Sequence, residues 1–262
     1  MLARDAAPER GSSDPRKHLL IGLVLAAGTG ARLGPLTAEI PKTLLPVAGE
    51  STILDQILAN LSAAGMDRVA IVCGHRSTAI EDRLDSLGGA HGLALETIHN
   101  EKAAVWNNAY SLWCARDLFA AGVLLVNGDC LHPGAVESTM LAAQGPDILL
   151  GVDERDRLTG ESMKVMLDDE GRVVRLDKAI ALESAAGEYI GVTIIEGTAA
   201  PGLTDALERT WSSDPSLYYE DAFVEYARAG GEVRIASLGD IDWVEVDDAA
   251  DLERAREVAC RF

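Results

Sequence analysis

In LVLAAGTGARLGPLTAEIPKTLLP, residues 23–46, an apolar run opens into Gly28 and Gly30, then Arg32, then, behind Pro41, Lys42. Glycines let the main chain come close to an oxyanion and aim amides at it. A guanidinium adds a planar fork of donors, and an ammonium a compact charge. Amides, fork and point charge, in that order, could follow a triphosphate from end to end. The spacing to Gly34 is G-x-G-x-x-x-G, one residue longer than a dinucleotide fingerprint. Pro35 and Pro41 also forbid the long helix which that fingerprint needs. The G-x-x-x-x-G-K-[ST] pattern of a P-loop does not occur here.

Two acidic segments could complete such a site. VLLVNGD sets Asp129 at the end of an apolar run, and DWVEVDD sets Glu245 and Asp247 two apart, on one face of a strand. Magnesium takes hard oxygens, often one or two carboxylates completed by substrate phosphates. Asp129, Glu245 and Asp247 are therefore the expected ligands and Mg2+ the expected cofactor. Each residue also has a plain use. The glycines serve in a structural turn, Arg32 and Lys42 as solvated cations, Asp129 as a turn residue, and Asp247 or Asp248 as an N-cap.

Strand ends must hold these groups. LIGLVLA, RVAIVCG, LALETIHN, VLLVNGD and DILLGVD read as strands. STILDQILANLSAAG, TAIEDRLDSLGG, NNAYSLWCARDLFAAG and PGAVESTMLAAQG, the last opened by Pro133, read as the helices between them. This alternation predicts parallel βαβ units: an α/β, Rossmann-like doubly wound sheet in three α/β/α layers, with ligands beyond the carboxyl ends of the strands. ESMKVMLDDEGRVVRLDK breaks the rhythm. Two strands around DDEG predict an inserted antiparallel hairpin, and EYIGVTIIEG a further strand of a mixed sheet. LTDALERTW and YYEDAFVEYARAGG read as helices, EVRIASLG and DWVEV as late strands, and DDAADLERAREVA as a terminal helix. Residues 1–17, polar with Pro and Gly, are expected to be a disordered tail, and residues 18–262 a single domain.

The composition narrows the partners. Lys and Arg number 23 against 42 Asp and Glu, a formal charge of −19, which repels nucleic acid and anionic membranes. A local cluster of cations and amides can still hold a small anion, and a cationic substrate group suits the overall field. The four cysteines, Cys73, Cys114, Cys130 and Cys260, form no C-x-x-C pair, so reduced thiols and a cytoplasmic location are expected, not a zinc site. PRKHLLIGLVLAAGTGA has the look of a secretory leader. The acids before it and the patterned glycine loop after it favour a buried strand. No apolar stretch reaches the ~20 residues of a membrane span.

AAGTGARLGPLT…PKTLLPVAG closely resembles the nucleotidyltransferases that make activated sugars and alcohols, whose pattern runs L-A-A-G-x-G-x-R and then P-K. The resemblance implies a Rossmann-like mixed sheet and the joining of a nucleoside triphosphate to a phosphate monoester, with pyrophosphate released. It implies that Ala26, Ala27 and Gly28 touch base and ribose, and Leu25 and Thr29 are expected among the nucleotide-binding residues. Gly30 and Arg32 would hold the β- and γ-phosphates, and Lys42 would bridge the α-phosphate and the acceptor. Lys42, Arg32 and Asp129 are thus the expected catalytic residues.

WNNAYSLW, YYEDAF and WVEVDDAADL are similar to the phosphocholine cytidylyltransferase branch, whose members also activate aminoethylphosphonate, hydroxyethylphosphonate or inositol phosphate with CTP. Asn107, expected near the nucleotide, and Asn108 and Ser111, expected near the acceptor, open a helix where an anion is favoured, or simply cap it. Trp106, Tyr110, Tyr218 and Tyr219, with Tyr189, could wall a pocket beside Glu220 and Asp221 that suits an ammonium group. Some of these rings could equally be core. Lys164 and Lys178 are expected to supply a cation to the acceptor phosphate, and His75 to lie near the base. Thr29 and His75 depart from the branch, which often has a bulkier residue and a tyrosine there.

The expected chemistry is a single in-line attack by an acceptor oxygen on the α-phosphorus of CTP. That oxygen is largely ionised at neutral pH, since a phosphate ester's second pKa is about 6, so no general base is required. The rival enzyme is a sugar-1-phosphate nucleotidyltransferase using UTP or dTTP. The rival from another class is a non-catalytic nucleotide-binding regulator. The expected partners are CTP and a small phosphate or phosphonate acceptor, without nucleic acid or membrane, and with a homodimer left open.

Overall fold

The run LIGLVLA opens the sheet as strand β1 (Ile21–Ala26), buried along almost all its length. A strand covered by helices on both faces must be apolar throughout. β2 (Arg68–Cys73), β3 (Ala94–His99) and β4 (Val123–Asn127) run parallel to it in the order β3–β2–β1–β4. The computed structural model describes residues 20–154 and 158–261; the tail expected over 1–17 lies outside the described residues.

Beyond β4 the sheet turns mixed. β5 (Ile148–Asp153), the hairpin β6 (Lys164–Leu167) and β7 (Val173–Asp177), β8 (Gly187–Ile195) and β9 (Val233–Ser237) complete nine strands. β8 runs antiparallel to β4, β5 and β6, and β9 parallel to β5. The start of β8 pairs with β6 and its end with β4. Gly191, at φ 80°, sits at the change of partner, where a Cβ would lie 2.6 Å from Asn127 Nδ2. Only glycine fits both the backbone and the space.

Side chains alternate across the sheet. Val24, Ile71, Leu124 and Val126 pack with the helices Ile53–Ala63, Ala135–Ala142 and Ala249–Ala259. Leu23, Val72, Val123 and Leu125 pack with Asn108–Cys114, Ala200–Ser213 and Tyr219–Arg228. The three-layer α/β/α architecture with its inserted hairpin follows. Each buried Leu or Val contributes about 1.5–3 kcal/mol.

Some elements differ from expectation. The helix expected after Asn107 is α-helical only to Cys114 and continues as a 3-10 helix over Arg116–Ala121. The single helix expected over TAIEDRLDSLGG is two, Ser77–Glu81 and Leu84–His91. Pro133 precedes its helix, whose N-cap is Gly134. DWVEV gives only Val244–Glu245, paired with Cys130–Leu131 outside the main sheet. Asp248 accepts from the amides of Ala250 and Asp251, at 2.8 and 3.0 Å, and so is the residue that caps the terminal helix.

Candidate active site

β1, β2 and β4 end on one side of the sheet, and a cleft of about 590 Å³ opens there. Its floor is the glycine loop. Gly30 is left-handed at φ 62°, and its carbonyl accepts from Thr37 Oγ1 and Leu33 N, both at 2.9 Å. This knot turns the chain sharply and leaves Gly28, with nothing near its Cβ position, facing the cleft. The amides of Gly28, Thr29 and Gly30 meet no protein acceptor among the described residues. They can serve an anion.

The loop is wedged from behind. A Cβ on Gly74 would lie 2.3 Å from Ala103 Cβ and 2.9 Å from the Ala27 carbonyl, so a glycine must follow β2 for the two walls to close. Gly74→Ala is expected to lower stability by about 1–3 kcal/mol through overpacking, read as a fall in Tm.

Three carboxylates converge opposite the loop. The ladder between Cys130–Leu131 and Val244–Glu245, with Val246 N donating to the Asp129 carbonyl at 2.9 Å, brings Glu245 and Asp247 to Asp129. One ligand oxygen from each lies within 4.8 Å of the others. Lys42 Nζ sits among them, 2.7 Å from Asp129 and 3.1 Å from Asp247, and Arg32 Nη2 is 2.7 Å from Asp247. Burial would lower the Lys42 pKa, but Asp129 and Asp247 outweigh it and push it up to about 12. Lys42 is therefore charged at neutral pH. Surrounding protein, with Asp129 and Asp247, pushes Glu245 up to about 7, although one side of it is open to solvent. Negative charge is thus in excess here. Clustered hard oxygens with surplus charge fit a divalent cation such as magnesium.

The cleft is also lined by Trp106, Asn107, Asn108, Ser111, Met163, Lys178, Tyr189, Tyr218 and Glu220. Asn107 donates to the Ser216 carbonyl, and Asn108 Oδ1 accepts from Tyr219 N, tying two helix starts together. Glu220 is 5% exposed and its Oε2 has no hydrogen-bond partner. Burial, helped by Glu245 and Asp221, pushes its pKa up to about 8.

Leu25, Ala27, Gly28, Thr29, Gly30, Arg32, Lys42, Asn107, Asn108, Ser111, Asp129, Lys178, Tyr189, Glu220, Glu245 and Asp247 all line this cleft. Six expected residues do not. Ala26 packs in the core. A ring nitrogen of His75 lies 3.0 Å from the Thr37 carbonyl and braces the loop from outside. Lys164 is buried, with Nζ bonded to backbone carbonyls. Tyr219 is core, donating its hydroxyl to Asn127 at 2.8 Å, while Tyr218 faces the cleft. Asp221 accepts from Tyr218 N at 2.9 Å and caps the helix. Tyr110 joins Trp106, Trp113 and Trp211 in an aromatic cluster. Asn127, Met163, Gly191 and Ser216 line the cleft unforeseen. Of these, only Asn127 had a signal, since it ends the same strand as Asp129.

Behind the carboxylates, His132 and Glu137 are fully buried and 3.7 Å apart, too far for a hydrogen bond. Burial pushes Glu137 up to about 8 and His132 down to about 4. The folded protein thus keeps a proton on Glu137 that the unfolded chain releases near 4.5. That contribution is full below pH ~4.5 and lost as pH rises toward ~8. Glu137→Gln is expected to raise Tm more at pH 8 than at pH 5, measured by thermal melts at both.

Residues 21–145 match the family model described as nucleotidyl transferase. Over 243 residues, 89% of this chain, the sequence is 29% identical to the CMP-5'-(3-aminopropyl)phosphonate synthase of Streptomyces rubellomurinus and spans 38% of that protein. The chain spans about half or less of the length of the first curated relatives it matches. The solved inositol-1-phosphate CTP transferase from T. maritima superposes with a TM-score of 0.76 at 22% identity, over 93% of this chain and 96% of that one. A putative glucose-1-phosphate thymidylyltransferase from Bacillus anthracis gives 0.77 at 18% identity, over 93% and 96%. These two likenesses establish the fold. The matched segment begins with β1 and takes in the glycine loop, Arg32, Lys42 and Asp129, so this part of the chain is similar to the nucleotidyl transferase family.

Proposed function

We propose that the protein transfers CMP from CTP to a small phosphate or phosphonate alcohol and releases pyrophosphate. The observation that carries this reading is Lys42, held 2.7 Å from Asp129 and 3.1 Å from Asp247 at the edge of an amide-lined loop. The amides of Gly28 to Gly30 bind the triphosphate, and Arg32 draws its outer phosphates along the loop. Lys42 orients the α-phosphate and neutralises charge as the acceptor oxygen approaches. Asp129, Glu245 and Asp247 would hold magnesium, which when bound offsets the repulsion between two anionic substrates. Lys178 meets the acceptor's phosphate or phosphonate.

Two features favour cytidine and an amino-bearing acceptor. The Streptomyces relative is named for a CMP-aminoalkylphosphonate. Glu220, whose buried Oε2 has no hydrogen-bond partner, lines the cleft with Tyr189 and Tyr218 and suits an ammonium or trimethylammonium head. Among the described residues no helix is long and apolar enough to cross a membrane, and the four cysteines are unpaired, in keeping with a cytoplasmic enzyme.

The test is pyrophosphate release from CTP, UTP or dTTP with magnesium. The acceptors are phosphocholine, aminoethylphosphonate, hydroxyethylphosphonate, inositol phosphate and glucose-1-phosphate. CTP with one of the first four is the expected pair. Turnover only with UTP or dTTP and the sugar phosphate would overturn the reading. Pyrophosphate from no pair, despite nucleotide binding, would leave a non-catalytic binder.

A further inference from the structure

The side chain of Lys164 is the one lysine that the fold takes wholly inside, at 2% exposure, among the described residues. Burying an ammonium is expensive unless its protons are accepted. Lys164 begins β6, an interior strand flanked by Asp177 of β7 and Glu188 of β8. Its Nζ donates to the Lys178 carbonyl at 2.6 Å and to the Ser162 carbonyl at 3.3 Å. These carbonyls lie on two different segments. Ser162 stands between Glu161 and Met163, both on the cleft wall, and Lys178 is on that wall itself. The Lys178 ammonium lies 3.4 Å from Glu161. The turn after β7 has few other ties: Ala179 N donates to Asp177 Oδ1 at 2.8 Å, and the Ile180 amide makes a long bond of 3.3 Å to the Asp177 carbonyl.

We propose that Lys164 is a positioning residue for acceptor binding: from inside the sheet its ammonium clamps the backbone at Lys178 to the backbone at Ser162, and so holds the Lys178 side chain at the cleft wall. Charge-assisted bonds are short and about twice as strong as neutral ones, so one buried cation can set the geometry of a turn held otherwise by the Asp177 bonds and the buried Ile180 side chain. The carboxylates of Asp177 and Glu188 make the pocket around Nζ electrically tolerable without reaching the cleft themselves. Lys164 touches no substrate; it acts through Lys178.

The kinetic arm of the test rests on the transfer reaction proposed above. Lys164→Met keeps the aliphatic stem and removes the donor. The expected result is a rise of about tenfold in acceptor KM, with kcat and the CTP KM unchanged. In a Lys178→Ala background, adding Lys164→Met is expected to change acceptor KM little further, because the clamp then has nothing to present. Equal rises in both KM values, or fully additive effects in the double variant, would overturn the proposal. A second arm needs no substrate. Amide hydrogen exchange in the free protein should quicken at residues 161–163 and 178–180 and stay unchanged elsewhere on the cleft. Unchanged exchange at both segments also overturns it. If wild type releases pyrophosphate from no substrate pair, the transfer reading falls while the exchange arm still decides the clamp. Should Lys164→Met fail to fold, Lys164→Gln, whose amide can still donate, takes its place, with a smaller effect expected.

Discussion

Lys42→Ala is expected to lower turnover by about 100-fold or more, on the order of 3 kcal/mol in barrier, while the protein stays folded. Lys42 lies between two carboxylates and beyond the glycine loop, where the α-phosphate of a nucleotide seated on those amides would come to rest. Its charge is present throughout neutral pH, because Asp129 and Asp247 hold the proton on. The loss should therefore appear at every pH between about 6 and 9 rather than as a displaced pH optimum. Lys42→Arg is not a rescue, since a planar fork cannot reproduce a point charge in a space shaped for one. The fold should persist because Asp129 and Asp247 are both partly open to solvent, and Asp247 keeps Arg32 as a partner at 2.7 Å. Single-turnover rates and far-UV circular dichroism measured together separate lost chemistry from lost structure; near-wild-type turnover would end the assignment.

Asp129→Ala is expected to be comparably severe, about 100-fold or more in turnover, for a different reason. The ladder presents Asp129, Glu245 and Asp247 as a triad of oxygen donors, and removing one leaves the other two beside Lys42. A divalent ion then loses a ligand, so the magnesium concentration giving half-maximal rate should rise along with the fall in rate. Chelation of wild type should abolish turnover, and magnesium should restore it. If Asp129→Ala alters the rate but leaves its metal dependence untouched, the carboxylate acts by some route other than metal binding.

The chain announces by itself whatever is contiguous. The glycine loop, Arg32 and Lys42 lie within fifteen residues of one another, and their spacing already names an anion. The alternation of strands and helices fixed the layers, because burial on two faces leaves apolar runs that are hard to mistake. The acceptor end was less legible. Lys164 in ESMKVML reads as a cation for the acceptor phosphate, yet β6 lies between two strands and the lysine is buried with its ammonium on two backbone carbonyls. Tyr218 and Tyr219 are neighbours of like chemistry, and only the exit angle of the helix decides that one faces the cleft and the other the core. Asp221, three residues beyond Tyr218, carries the signal of a helix N-terminus, and it serves as the cap. Met163, Gly191 and Ser216 come from three separate segments, and no local pattern announces a meeting made by tertiary packing.

The short ladder that joins Cys130–Leu131 to Val244–Glu245 has a bearing on how the protein is made. During synthesis the glycine loop and Lys42 emerge well before two of the three acids, Glu245 and Asp247. Until then the polypeptide holds a phosphate cradle with no counterpart for a cation, and the long-range closure that supplies one is a slow, late event. Competence for the proposed transfer should thus switch on abruptly with the docking of Val244–Glu245 on Cys130–Leu131, and a nascent chain stalled short of Val244 would bind nucleotide without consuming it.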